Sequence, residues 1–281
     1  MILLIADSGS TTTDWAVVSD TATQHIKTPG INPVHQDDTT IECTITQGLL
    51  PQMYGITPTH IYFYGAGCVG GETNMRLNDI LHRYFPLAHI EIESDLLGAA
   101  RSLCGHNRGI AAILGTGANS CYYDGNEIVA NIRPLGYILG DEGSGASLGK
   151  AFLRALLRNE LGSELLEEFY TAHDTDYHKL ITRIYREPAA NRFLASLSPF
   201  IASHLDNVAV HTIVADTFVS FIDNHIKRYD YAHCPLHLTG SVAHYYKHII
   251  AEVAQHKGIE IGTITRTPIE GLITYHTNNR L

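Results

Sequence analysis

The chain has few charged residues and no excess of basic ones. Only 17% of its 281 residues are Asp, Glu, Lys or Arg, and the formal net charge is −10. Electrostatic binding of nucleic acid needs a basic stripe, so this balance argues against a nucleic-acid partner. It does not exclude a nucleotide ligand, because local N–H groups and a metal ion can hold a small anion.

The sequence is also poor in cysteine pairs and long apolar runs. Met1–Ala6 is apolar but stops at Asp7, which is too short for a membrane span or a signal peptide, and we interpret it as a buried strand. We therefore expect a cytoplasmic protein with no membrane partner, whose cysteines are unpaired. There is no CxxC pair, and the five cysteines lie far apart, at Cys43, Cys68, Cys104, Cys121 and Cys234.

Three common phosphate-binding signatures are absent. Gly143–Lys150 is a near miss for a P-loop, because five residues separate Gly143 from Gly149 and Ala151 follows the lysine. The dinucleotide pattern GxGxxG fails after Gly115 and Gly117, since its third position is Ser120. The protein-kinase loop and HRD patterns are missing as well. A phosphate site in this chain must therefore be built differently.

An internal repeat is the main feature that is present. The segment Leu3–Thr13 returns in altered form at Ala112–Ser120. Each copy is an apolar run, a Gly/Ser/Thr turn and a second β-prone run, which predicts a β-hairpin. The tip of such a hairpin offers backbone N–H groups and hydroxyls with little side-chain bulk, which suits phosphate oxygens. Two such turns, one in each half, could clamp one polyphosphate from two sides.

Length and composition allow two domains with substantial cores, since 44% of the residues are hydrophobic. The polar, glycine-rich stretch Gly105–Gly109 precedes the second repeat and marks the boundary. We predict an N-terminal domain over 1–105 and a C-terminal domain over 106–281. The last helix is a candidate for packing back onto the first domain.

Hydrophobic periodicity predicts alternating strands and helices in both halves. Helical structure is also expected through Ala190–Ile222 and on to about Tyr231. Predicted helices cover Thr39–Met53, Asn74–Tyr84, Asp95–Cys104, a long tract from Gly145, a helix after Ser241 and Pro268–Tyr275. Predicted strands cover Ile2–Ala6, Asp14–Val18, Ile61–Tyr64, His89–Glu93, Ile110–Leu114, Ser120–Tyr123, Glu127–Asn131, Gly136–Leu139, Leu236–Thr239 and Ile259–Thr265.

Four motifs occur in a fixed order: Asp7–Trp15, Leu114–Ser120, Leu139–Gly145 and Leu238–Val242. Together they resemble the BadF/BadG/BcrA/BcrD-type ATPase family, and within it the N-acetylglucosamine kinases. These belong to the superfamily of sugar kinases, Hsp70 chaperones and actin. The resemblance implies an α/β fold with two ribonuclease H-like (actin-like) domains flanking an ATP and sugar cleft. A Cys-rich zinc motif, found in a related kinase branch, is absent.

The resemblance implies ATP and Mg²⁺ as cofactors. Asp7 would hold Mg²⁺ through water, although by local rules it could simply cap the hairpin. The phosphates would be bound by Gly9, Ser10, Thr11 and Thr12 in one half and by Gly115, Thr116 and Gly117 in the other; the local alternative is an ordinary tight turn.

Asp95 would be the catalytic base that takes the proton from the sugar hydroxyl. Local rules make Asp95 or Ser94 the N-cap of a helix, which is compatible with that role. Gly240 and Ser241 would lie under the adenosine, or start a helix with Ser241 as its cap. The resemblance assigns sugar contacts to Asn32, Gly67, Asp141 and Glu142. By local rules, Thr28–Pro33 is simply a turn-rich loop, and Gly140–Ser144 simply caps a helix.

The predicted reaction is ATP-dependent phosphorylation of an amino sugar, with N-acetylglucosamine and its 6-hydroxyl as the first choice. Glucosamine, N-acetylmuramate and N-acetylmannosamine are alternatives. A partner-driven ATPase activator and a sugar sensor without catalysis are alternatives of other classes. A homodimer is the default expectation for assembly. The seventeen histidines are scattered and are interpreted as solvated or core residues.

Overall fold

The computed structural model describes residues 1–230 and 232–278. The chain divides into two compact units. The first comprises Met1–Asn107, Tyr123–Ile128 and the segment from Thr267 onward; the second comprises Arg108–Tyr122 and Val129–Arg266. Each unit is built on one five-stranded sheet with helices around it, which confirms the predicted α/β, ribonuclease H-like fold class.

The elements are numbered in chain order over the described residues. The strands are β1 (Leu3–Ser8), β2 (Thr12–Val18), β3 (Thr23–Pro29), β4 (His60–Gly65), β5 (His89–Ser94), β6 (Gly109–Leu114), β7 (Ala118–Tyr123), β8 (Ile128–Ile132), β9 (Leu236–Thr239) and β10 (Ile261–Thr265). The helices are α1 (Asp38–Cys43), α2 (Gly71–Tyr84), α3 (Asp95–Cys104), α4 (Gly136–Leu139), α5 (Gly145–Leu157), α6 (Ser163–Ala172), α7 (Tyr177–Tyr185), α8 (Ala190–Ser196), α9 (Ser198–Ala202), α10 (Val208–Asn224), α11 (Ser241–Tyr245), α12 (Lys247–His256) and α13 (Ile269–Asn278).

The two sheets share one topology. The first has the order β3-β2-β1-β4-β5 and the second the order β8-β7-β6-β9-β10. In the first, β1 pairs antiparallel with β2 and parallel with β4. In the second, β6 pairs parallel with β9, and β9 with β10. The predicted repeat is therefore a repeat of the whole sheet, with β6 in the place of β1.

The first sheet is covered on both faces. Leu4, Ala6 and Trp15 lie in a core that includes residues of α1 and α2. Leu3 and Ile5 point to the other face, where Leu272 of α13 packs against them. Because alternate side chains of a strand point to opposite faces, burial on both sides explains why β1 is continuously apolar.

The second unit has a larger core around β6 and β9. Its central helix α5 follows the predicted face, because Leu148, Phe152 and Leu156 are all fully buried. Phe218 and Phe221 of α10 pack into the same core. The predicted amphipathic helix after Gly145 is confirmed.

The structure differs from the predicted elements in three places. Gly136–Leu139, predicted as a strand, is the helical turn α4. Its apolar side chains Ile138 and Leu139 are exposed, so these apolar residues are not buried in a sheet as the prediction assumed. The edge strand β3 was missed because it is mostly polar. The tract Thr39–Met53 is helical but changes from α1 through a π-helical turn to a 3₁₀ turn.

The predicted helix end near Tyr231 lies outside the described residues. None of the five cysteines, all of which lie in the described ranges, forms a disulfide; Cys43 is exposed and the other four are buried. No helix in residues 1–230 or 232–278 is long and apolar enough to cross a membrane.

Candidate active site

The first predicted phosphate turn is a tight hairpin between β1 and β2. The Gly9 N–H donates to the Thr12 carbonyl at 3.0 Å, and the tip residues Ser10–Thr12 are exposed. Below the tip, the buried hydroxyls of Ser8 and Thr13 lie 2.6 Å apart. The hairpin therefore presents an accessible tip on a fixed base.

A neighbouring loop is bound to this base. The Ile31 N–H donates to the Ser8 hydroxyl at 2.9 Å, and the Ser8 hydroxyl donates to the Ile31 carbonyl at 2.9 Å. Gly30 lies against the hairpin tip, where a Cβ atom would come within 2.4 Å of the Gly9 carbonyl oxygen. Only glycine permits this approach, so the hairpin and the loop after β3 form one structure.

We expect Gly30→Ala to displace the hairpin tip. The added methyl meets backbone atoms, which cannot rotate away as a side chain can. Overpacking of this kind costs about 1–3 kcal/mol of stability. Differential scanning fluorimetry with and without ATP should show a lower melting temperature and a weaker ATP-induced shift. The control for the melting temperature without ATP is Gly115→Ala, where a Cβ meets nothing within 4 Å; equal melting temperatures for the two ligand-free variants would contradict the expectation.

Asn32 and Gly67, both predicted sugar contacts, lie together. Gly67 has a φ of +85°, and a Cβ there would be 2.3 Å from Asn32 Oδ1. The same oxygen accepts the Val34 N–H at 3.0 Å. Arg76 of α2 donates to the Pro33 carbonyl at 2.8 Å and holds the loop in place. The role of Arg76 was not predicted, since nothing near it in the sequence relates it to this loop.

Three carboxylates gather at the end of the first sheet. Asp7 of β1 lies opposite Asp14 of β2 in the strand register. Burial, helped by the nearby charges of Asp95 and Asp14, raises the pKa of Asp7 to about 8. Lys27 Nζ lies 3.3 Å from Asp14 Oδ1, so Asp14 is paired with a positive charge. The site thus concentrates negative charge around Asp7.

Asp95 begins helix α3 directly after β5. Ser94 is the N-cap and accepts the Leu97 N–H at 3.2 Å, while Asp95 Oδ1 accepts the Leu96 N–H at 2.9 Å. Burial raises the pKa of Asp95, and the hydrogen bond from Leu96 partly opposes that rise. A carboxylate in this setting is fixed in direction and more basic than one in water, both of which suit proton abstraction.

The donors around Asp7 fit a magnesium ion. Mg²⁺ is a hard cation that keeps several waters and takes one or two carboxylates plus substrate phosphates, so it needs no dedicated protein cage. In the part of the chain that the structure describes, no three His, Cys, Asp or Glu side chains form a metal cluster. Asp7, with its partly buried carboxylate beside a phosphate-type hairpin, has the chemistry that such an ion requires.

The second predicted phosphate turn joins β6 to β7. The Gly115 N–H donates to the Gly117 carbonyl at 3.0 Å. The start of α5 supports the turn from behind: the Gly145 N–H donates to the Gly115 carbonyl at 2.8 Å, and the Ala146 N–H to the Thr116 carbonyl at 3.2 Å. This hairpin is likewise held firmly by backbone hydrogen bonds.

Asp141 lies against this second hairpin. Its carboxylate accepts backbone N–H groups of Ala118 and Gly136, and a Cβ on Gly117 would be 3.0 Å from its Oδ2. Its φ is +57°, a conformation that non-glycine residues rarely adopt. Burial raises its pKa, and the two hydrogen bonds oppose the rise. The structure thus places the Gly140–Ser144 box directly beside the phosphate turn.

Glu142 is held by two residues at the end of α10. Its Oε2 lies 3.1 Å from His225 Nε2, and its Oε1 accepts from Asn224 Nδ2 at 3.3 Å. Burial raises the pKa of Glu142, but hydrogen bonds from its own backbone and from His225 outweigh this and lower it overall. In the sequence, His225 is one of the scattered histidines and its contact was not predicted, because its partner is distant in the chain.

Gly240 follows β9 at the end of the second sheet. Its φ is +114°, and a Cβ would lie 2.3 Å from the Leu114 carbonyl oxygen, so glycine is required here. Gly240 is itself the N-cap of α11, and no side chain caps this helix. The alternative interpretation of Ser241 as the capping residue is therefore wrong; Ser241 is the exposed first residue of the helix.

Comparison with solved structures finds candidate sugar kinases that share this fold. A Porphyromonas gingivalis protein described as a candidate N-acetylglucosamine kinase is 44% identical, with 99% of this chain and all of that chain covered, and a TM-score of 0.96. A candidate N-acetylglucosamine kinase of Chromobacterium violaceum shares the fold, at 16% identity, 98% coverage of both chains and a TM-score of 0.73.

A third structure shows the same fold with ligands. It is a ROK family glucokinase of Streptomyces griseus in complex with glucose and AMPPNP, at 15% identity, 99% coverage of both chains and a TM-score of 0.58. No protein-family model and no curated protein matches the chain significantly.

Two ribonuclease H-like units, each with a glycine-rich hairpin at the same point of its sheet, form the fold that this chain shares with the glucokinase. The chain belongs to the same family of sugar kinases as the Porphyromonas gingivalis protein, to which it is similar over its whole length.

Proposed function

We propose that this kinase transfers the γ-phosphoryl group of ATP to the 6-hydroxyl of N-acetylglucosamine. The observation that carries the proposal is the full-length similarity, at 44% identity, to a candidate N-acetylglucosamine kinase. The finer placement in the BadF-type branch and a homodimeric assembly are parts of the same proposal. Size-exclusion chromatography with light scattering tests the assembly directly.

The two hairpins are the proposed phosphate-binding elements. In the first unit these are Gly9, Ser10, Thr11 and Thr12, and in the second Gly115, Thr116 and Gly117. Backbone donors suit phosphate because they are rigid and add no side-chain bulk. Gly240 and Ser241 are the proposed adenosine contacts, and the exposure of Ser241 leaves it accessible to a ligand.

Asp95 is the proposed catalytic base. Its carboxylate would accept the proton of the sugar hydroxyl as the hydroxyl oxygen bonds to the γ-phosphorus and ADP leaves. Asp7 is the proposed carboxylate for Mg²⁺, which when bound would neutralise charge on the phosphates. Phosphoryl transfer requires mainly positioning and charge neutralisation, so this small set of groups is sufficient.

The proposed sugar contacts are Asn32, Gly67, Asp141 and Glu142. An amide and two carboxylates supply the acceptors and donors that a polyol needs. Their supports are already in place: the Asn32 side chain is fixed over Gly67, and Glu142 is held by His225. Because these groups do not have to be ordered on binding, little conformational entropy is lost when the sugar enters.

The test is an amino-sugar panel with Mg·ATP. N-acetylglucosamine, glucosamine, N-acetylmannosamine and N-acetylmuramate are each incubated with the purified protein. ADP is measured by a coupled assay and sugar phosphate by mass spectrometry. We expect one mole of N-acetylglucosamine 6-phosphate per mole of ADP, with the highest kcat/KM of the panel.

Other results point to the alternatives. A higher kcat/KM for another amino sugar would reassign the substrate while leaving the kinase class intact. ADP released without any phosphorylated sugar would favour a partner-driven ATPase. If the protein binds ATP but releases no ADP with any sugar of the panel, the result would favour a sugar sensor without catalysis.

A further inference from the structure

A cluster of buried and partly buried polar side chains contacts helix α3 at Arg101, in the second half of the helix. Four elements of the first unit contribute to it: Tyr64 from β4, Glu91 from β5, Arg101 from α3 and His276 from α13. Arg101 Nη1 donates to Glu91 Oε1 at 2.6 Å and to the Tyr64 hydroxyl oxygen at 2.8 Å. The Tyr64 hydroxyl lies 2.8 Å from His276 Nε2.

The direction of the hydrogen bonds from Arg101 is determined by chemistry. A guanidinium group only donates, so the Tyr64 oxygen accepts from Arg101. The bond between the Tyr64 hydroxyl and His276 Nε2 runs in the direction that the tautomer of the histidine sets, because a neutral imidazole nitrogen either donates or accepts. Burial, helped by the charge of Arg101, lowers the pKa of His276 to about 3, so its ring stays neutral. Arg101 and His276 thus hold the Tyr64 hydroxyl from two sides.

The backbone of α3 is pressed against the same residues. A Cβ on Gly98 would lie 2.7 Å from Tyr64 Cγ, so the helix rests directly on the tyrosine ring. Helix α3 also lies directly against α13, because a Cβ on Gly271 of α13 would be 2.3 Å from the Ser102 carbonyl oxygen of α3. The Ser102 hydroxyl also donates to the Pro268 carbonyl at 2.7 Å. Helix α3 is therefore held between a strand and the C-terminal helix.

Asp95 is the first residue of α3, three positions before Gly98. Any rotation or shift of the helix moves its carboxylate. We propose that Tyr64, Arg101 and His276 form a positioning relay that sets the orientation of α3 and so aims the Asp95 carboxylate. This inference rests on the proposed role of Asp95 as the catalytic base. It assigns a part in the reaction to a histidine near the end of the chain.

The relay is tested by removing its imidazole and its hydroxyl separately. His276→Leu removes the nitrogen that is hydrogen-bonded to the Tyr64 hydroxyl, and Tyr64→Phe removes the hydroxyl but keeps the ring under Gly98. Misplacement of a reacting group by about 1 Å can cost about 100-fold in rate. We expect each variant to lower kcat about 10- to 100-fold, with KM for ATP within about twofold of the unmodified protein. His276→Gln, whose amide can hydrogen-bond to the hydroxyl, should recover most of the rate.

The control separates positioning from stability. Leu77→Ala removes a fully buried side chain from the core on the α2 face of the same sheet, whereas Tyr64 belongs to the core on the other face. It should lower the melting temperature but leave kcat unchanged at a temperature where every variant is folded. Tyr64→Phe keeps the packing, so it remains informative if His276→Leu does not fold.

The outcomes are distinct. If Asp95→Asn is inactive while His276→Leu and Tyr64→Phe keep the kcat of the unmodified protein, the relay is wrong and the proposed base stands. If Asp95→Asn keeps the kcat of the unmodified protein, Asp95 is not the base, and the relay proposal, which depends on that role, is wrong as well. A loss of kcat in Leu77→Ala equal to that in Tyr64→Phe would mean that stability alone is being measured, and would also overturn the relay.

Discussion

Asp95→Asn is expected to abolish sugar phosphorylation while leaving ATP binding intact. The amide has nearly the same shape as the carboxylate but cannot accept the hydroxyl proton. General base catalysis contributes about 10²- to 10⁴-fold, so kcat should fall by that factor. Asparagine can still accept the Leu96 N–H through its amide oxygen, so the start of α3 should be preserved.

Two measurements check this expectation. Sugar-dependent ADP release gives kcat, and isothermal titration calorimetry gives the affinity for Mg·ATP. Asp79→Asn is the matched control, because it makes the same change at an exposed site on α2 in the same unit. Sugar-dependent turnover of Asp95→Asn within tenfold of the control would rule out Asp95 as the base.

Asp7→Asn should have opposite effects on activity and on stability. Loss of the proposed magnesium carboxylate should reduce turnover by about 10²-fold or more, as for loss of a major electrostatic contribution. The same change should stabilise the ligand-free protein, because the folded state holds Asp7 in a setting that disfavours its charge. Burial and the neighbouring carboxylates raise its pKa to about 8 from an ordinary 3.8.

The sign of the pH dependence follows from this shift. A folded-state pKa above the unfolded value means that the folded state binds the proton more tightly, so stability falls as the pH rises between 3.8 and about 8. Asparagine has no proton to lose. In EDTA-containing buffer, the variant should gain about 1–3 kcal/mol over the unmodified protein at pH 8 and little at pH 4.

Thermal melts at pH 4, 6 and 8 give the comparison. Asp79→Asn again serves as the control, and its difference from the unmodified protein should not change with pH. A constant offset for Asp7→Asn across this range would show that folding does not raise the pKa of Asp7. Turnover retained in Asp7→Asn would separately remove it from the proposed magnesium site.

Much of the fold was predictable from local patterns. The apolar run, glycine turn and second run of each repeat predicted the hairpins β1–β2 and β6–β7, because a strand buried on both faces is continuously apolar. Polar β3 and exposed α4 were mispredicted, since neither shows the pattern that burial produces. Whether α13 returns to the first domain was left open, and the contacts of Leu272 with Leu3 and Ile5 place it there.

The sequence alone determined the fold class, the two phosphate-type hairpins and the motif order that points to a sugar kinase. These depend on residues close together in the chain, where turn chemistry and hydrophobic period act directly. Only the tertiary structure decided which side chains support the site. Tyr64 and His276 are 212 positions apart and Glu142 and His225 are 83 apart. Such pairs form because strand register and helix packing bring distant segments together, and no local pattern in the sequence records that.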